Sequence, residues 1–115
     1  MMEPKLKSGF WVAALVRRCG VHNVPAMVTS KGHDSAGGVF VKVNHLNGKA
    51  EVFSQARKGD GSLVWMCSTG ATPVEDREAD AYILRQKKFD PDIWVVEIED
   101  KQGRHFLEAE VETDI

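Results

Sequence analysis

Cysteine is scarce in this sequence, and its placement is uninformative for chemistry. Cys19 and Cys67 stand far apart with no CxxC pair, which excludes a disulfide framework and a zinc ribbon and fits a reducing cytoplasm. Long apolar runs are missing too. The run Phe10 to Val16 follows Lys5 and Lys7 in the order of a signal peptide. It is nevertheless at the short limit for an h-region, is closed by Arg17-Arg18 without a small-residue cleavage site, and is too short to span a bilayer. The expectation is a cytoplasmic protein, with no membrane partner, in which this run is the first core element. The four histidines show no HxxxH spacing, so no metal site is expected.

What is present is an ordinary globular composition, with 43% hydrophobic and 28% charged residues in 115. That length predicts a single domain over residues 1–115, with an ordered core of about 6–107 and an acidic tail over 108–115. The charge is unevenly spread. Residues 1–57 hold eight Lys/Arg against three Asp/Glu, and residues 58–115 hold seven against fourteen. The halves therefore attract each other within one fold or between two copies, or the basic half forms a face for an anionic partner.

Ser8 is placed to cap a helix over about Gly9 to Cys19, with Trp11, Ala14, Leu15 and Cys19 at helical spacing. Val24, Ala26 and Val28 share one face of an extended segment. Val39, Val41 and Val43 alternate with Phe40, Lys42 and Asn44, a strand with Phe40 and Lys42 outward. Asn47-Gly48 turns this strand into Ala50 to Gln55, and Gly59-Asp60-Gly61 turns the next into Leu63 to Cys67. Thr72-Pro73-Val74-Glu75 reads as a capping box opening a second helix, which the Asp90-Pro91-Asp92 turn ends. Trp94, Val96 and Ile98 then form one face of a last strand, and His105 to Leu107 a short further one. The fold class expected is α+β: a helix, a four-stranded antiparallel meander, a second helix and a final strand, both helices packed on one sheet face.

Several chemistries fail on residue identity. KGHDSAGG, residues 31–38, has the glycine spacing of a phosphate loop, but Gly38-Val39 stand where Lys and a hydroxyl residue are required, and a strand follows instead of a helix. His33 occupies the first glycine position of a nucleophile elbow around Ser35. No catalytic residue and no cofactor is assigned, and the residues lean against an enzyme. His33/Asp34 and Asp90/Asp92 are the pairs a small enzyme or metal protein would use. Arg17, Arg18, Lys31, Lys42 and Arg57, with Phe40 or Phe53 as stacking surfaces, are what a nucleic-acid-binding sheet would use, although no RNP-like or KH-like motif accompanies them.

Three stretches in order, FWVAALVRR, AGGVFVKVN and FDPDIWVVEIED, resemble a family of short bacterial proteins, chiefly alphaproteobacterial, known only as a domain of unknown function. The resemblance spans Leu6 to Leu107 and matches Arg17, Arg18, Gly37, Lys42, Asp90, Pro91, Asp92 and Trp94 to the family's recurring pattern. It implies a cytoplasmic single domain and carries no activity, cofactor or partner. The function expected is a small non-enzymatic binding or assembly module, with self-association or a protein partner. Its binding candidates are Arg17, Arg18, Phe40, Lys42, Asp90, Asp92 and Trp94.

Overall fold

The computed structural model describes residues 7–57 and 59–112. The strands are β1 (Ala26–Ser30), β2 (Val39–Asn44), β3 (Lys49–Arg57), β4 (Leu63–Cys67), β5 (Val74–Glu75), β6 (Trp94–Glu99) and β7 (Val111–Glu112), and the helices α1 (Ser8–Val21) and α2 (Asp76–Phe89). Among the longer strands, β-branched residues are densest in β2 and β6. The fold is α+β, but the sheet is mixed and seven-stranded, in the order β1-β6-β2-β3-β4-β7, with β5 paired to β3. This corrects the four-stranded meander. β2, β3 and β4 do follow one another antiparallel. The last long strand, β6, inserts between β1 and β2, antiparallel to the first and parallel to the second.

The helices lie on opposite faces, not on one. Val12, Leu15 and Cys19 of α1 pack with Val41, Val43, Phe53, Trp94, Val96 and Ile98. Ala79 and Ile83 of α2 pack with Ala50, Val52, Ile93 and Val95. Side chains alternate across a strand, so a helix on each side buries both sets. Val52, Phe53 and Ser54 are consecutively buried for that reason. Central strands of this kind lose the polar half of their alternation.

Several local features differ from expectation. The second helix begins at Asp76, because Val74 and Glu75 first pair with Ala50 and Lys49 and the Asp76 amide donates to Gly48 O. Among the described residues no side chain caps either helix; the Ser8 hydroxyl donates instead to Gly37 O at 2.5 Å. The β2–β3 connection runs through His45 to Gly48, with positive φ at Leu46 and Gly48. The Asn47 side chain accepts from the Lys49 amide. Residues 105–107 form no strand, since Phe106 and Glu108 turn through positive φ. Leu107 nonetheless joins the α1 core. The acidic tail returns to the sheet as β7, parallel to β4. Among the described residues no helix is long and apolar enough to cross a membrane.

Candidate ligand-contacting end of the sheet

β2 and β6 run parallel, so the loop entering one and the turn entering the other emerge at the same sheet end. There the 31–38 loop lies over Asp90-Pro91-Asp92. The His33 amide donates to Asp92 O at 2.9 Å, and the Trp94 amide to Gly38 O at 2.7 Å. The buried Trp94 indole adds a bond from Nε1 to His33 O at 2.8 Å. Glycine is required at this junction: a Cβ on either Gly32 or Gly37 would stand 2.3 Å from Asp92 O. The first turn of α1 closes the third side, with the Gly9 amide donating to Asp34 O at 3.0 Å.

The polar groups of the loop mostly serve its shape. His33 Nδ1 accepts from the Ser35 and Ala36 amides at 3.3 and 3.2 Å, which leaves the proton of the neutral ring on Nε2. Asp90 Oδ1 accepts from the Asp92 amide at 3.0 Å, an Asx turn. His33, Asp90 and Asp92 border a shallow depression of about 330 Å³. No group of three His, Cys, Asp or Glu among the described residues is arranged to hold a metal ion. A larger cleft of about 650 Å³ opens beside the loop, walled by Trp11, Trp65 and Val39, with Lys7, Ser35 and Gln55 as polar lining. Trp11 and Trp65 stack with ring centroids 5.2 Å apart.

The structure separates the seven candidates. Asp90, Asp92 and Trp94 are brought to this end together with His33 and Asp34. Phe40 and Lys42 do share a strand face, but α2 covers it, which corrects the expectation of an outward aromatic and basic surface. Phe40 packs against Tyr82. Lys42 is 3% exposed, with Nζ 2.7 Å from both Asp76 Oδ1 and Asp80 Oδ1 and 3.6 Å from Glu97 Oε1. Burial pulls its pKa down, and the hydrogen bonds to Asp76 and Asp80 with the Glu97 charge more than offset this, so the net shift is upward. The cation thus meets acids of its own chain. Arg18 is also engaged internally: it donates to Phe106 O and pairs with Glu108 at 3.3 Å. Of the basic candidates, Arg17 and Lys31 are exposed, whereas Phe53, the other stacking candidate, is buried in the core that α1 covers. The Arg57 side chain lies outside the described residues.

Sequence reasoning missed a second polar cluster at the opposite end. Glu51 Oε1 lies 3.0 Å from His45 Nε2, and the Cys67 thiol donates to Glu51 Oε2 at 3.5 Å. His105 meets Phe53 edge-on at 5.0 Å. Burial pushes the Cys67 thiol pKa up and that of His105 down, so the sulfur stays a protonated donor at neutral pH. These residues are scattered along the chain with no motif spacing, and only the fold brings them together.

Comparison with known proteins agrees with this architecture. A family model described as a protein of unknown function, DUF1491, matches residues 6–108. The crystal structure of a DUF1491 family protein from Caulobacter crescentus CB15 is 46% identical, covers 94% of this chain and 100% of its own, and has a TM-score of 0.84. An NMR structure of a DUF1491 family protein from the same organism is 46% identical over 96% and 99% of the two chains, with a TM-score of 0.83. The solution structure of protein Atu0922 from A. tumefaciens is 31% identical over 84% and 86%, with a TM-score of 0.71. No curated protein matches.

Proposed function

The chain belongs to the DUF1491 family, and we propose that it is a non-enzymatic, single-domain binding or assembly module of the cytoplasm that meets its partner with the loop end of the sheet. One observation carries this reading. The 31–38 loop is fixed to the Asp90–Asp92 turn and to α1 by backbone bonds and by Trp94, beside a cleft walled by Trp11 and Trp65. A loop held in this way is ordered before its partner arrives, which lowers the entropy cost of binding. The groups that resembled catalytic candidates support the same reading, because His33 and Asp90 spend hydrogen-bonding capacity on loop geometry. Two buried free thiols favour a reducing compartment.

A photo-crosslinking amino acid at Ser35, which lines the cleft, tests the reading in living cells. A discrete protein adduct from position 35, absent from the same probe at the exposed Lys101 of the opposite end, is expected. Equal labelling from both positions, or no adduct at position 35, overturns it.

A further inference from the structure

Helix α1 is apolar on the wrong side as well as the right one. Its sheet-facing residues are Val12, Leu15 and Cys19. At 100° per residue, Phe10, Ala14, Arg17 and Val21 fall on the opposite, outer face. Phe10 is 68% exposed and Val21 74% exposed, and Arg17 is the one charge in the row. A surface helix ordinarily covers its outer face with charged and polar residues, and an all-round apolar helix is one that is covered. Helix α2 also exposes Leu84 and Phe89, but it sets them among the exposed charges Arg77, Glu78, Asp80, Arg85 and Lys88.

The surroundings of this stripe indicate what covers it. Beside its N-terminal half lies a hollow of about 480 Å³, lined by Phe10, Ala13 and Trp94 together with Lys7, Lys31 and Asp34. Lys7 and Lys31 border this apolar floor with Asp34 as the acid among the lining residues, and Arg17 stands about two turns along the same helix face from Phe10. We infer that the outer face of α1 docks an acidic amphipathic segment, a helix or strand of another protein. One of its apolar side chains enters the hollow, and its carboxylates meet Lys7, Arg17 and Lys31. A second copy of this chain is the poorer occupant, since two-fold pairing of this face sets the same three cations against each other. The inference rests on the binding reading above and names its partner's chemistry. The contact buries on the order of 500 Å² per partner, the low end for specific interfaces, so it is weak and salt-sensitive.

The test is an amide NMR titration of the full chain with two synthetic helical peptides. They share one leucine stripe and carry either glutamate or lysine on all other positions. The glutamate peptide is expected to shift the amides of Phe10, Ala14, Arg17 and Val21. Its affinity should fall about tenfold or more with Phe10→Glu, and similarly on raising the salt from about 50 to about 500 mM. Arg17→Glu should move the preference toward the lysine peptide. Both side chains are exposed, so unchanged thermal melting shows that these variants fold. Equal binding of the two peptides, shifts elsewhere, or no binding overturns the inference. So does self-association that Phe10→Glu abolishes, or binding to phosphatidylglycerol vesicles in place of the peptide. A position-35 adduct that persists while the peptides fail would leave the binding reading intact and remove only the partner class.

Discussion

Lys42 Nζ sits 2.7 Å from Asp80 Oδ1 across the interface between the sheet and α2. The lysine is 3% exposed and the aspartate 58%, so this is a buried cation reaching the rim of its helix. Asp76 Oδ1 is buried and, among the described residues, has no partner besides this cation, and Glu97 completes the acidic set from β6. Removing the cation therefore leaves carboxylates beside apolar surface. Lys42→Met should lower stability by about 2–4 kcal/mol, whereas Asp80→Asn should cost less than about 1 kcal/mol because Asp80 remains hydrated. Urea unfolding measures both. The raised Lys42 pKa means this contribution is complete below the unfolded lysine value and is lost only in strongly alkaline solution.

Acid unfolding should be governed in part by Asp100. The Arg104 side chain bonds both its oxygens, at 2.8 and 3.3 Å, and the Arg104 and Gln102 amides add to these. The Arg104 hydrogen bonds hold the carboxyl at about 2, below its ordinary 3.8. A depressed carboxylate stabilises the fold above its unfolded pKa, and that stability is lost as pH falls through the folded value. Asp100→Asn should flatten the pH dependence between about 4 and about 2 while leaving slopes above that window unchanged. Thermal melts across a pH series decide it.

Gly32 and Gly37 should be intolerant of a single methyl. A Cβ at either would stand 2.3 Å from Asp92 O, and backbone cannot rotate away as a flexible side chain can. Gly37→Ala is expected to cost about 1–3 kcal/mol and to shift the amides of Asp92 to Trp94. Gly20→Ala meets nothing within 4 Å and lies in α1, so it should be neutral or stabilising by up to about 1 kcal/mol.

Both thiols should be silent in the native protein. Cys19 and Cys67 are buried, and burial raises both pKa values. A thiol-reactive chromophore at neutral pH should react with neither until denaturant is added. Stoichiometric reaction of Cys67 in the native state would show that Glu51 and Thr69 do not enclose it.

The sequence carried the parts of this fold that depend on local pattern. Val41 and Val43 on one face, Trp94, Val96 and Ile98 on one face, and the β2–β3–β4 succession all follow from alternation and turn residues. The insertion of β6 between β1 and β2 was not legible, because a parallel pair joins residues far apart in the chain and leaves no turn between them. Lys42 misled for a related reason: alternation places it opposite the valines, and only the position of α2 shows that this side is buried. The Thr72 capping box gave way because Val74 and Glu75 had strand partners available. At the candidate site, the loop and the Asp90–Asp92 turn were each visible, and their convergence required the β2/β6 register.

The role of the loop end is most directly tested by amide hydrogen exchange, comparing the purified protein with the tagged protein held in cell extract. The prediction is added protection over residues 32–38, 90–94 and the first turns of α1, with α2 and the Lys101 turn unchanged. Protection confined to α2, or an exchange pattern identical in the two conditions, would contradict it.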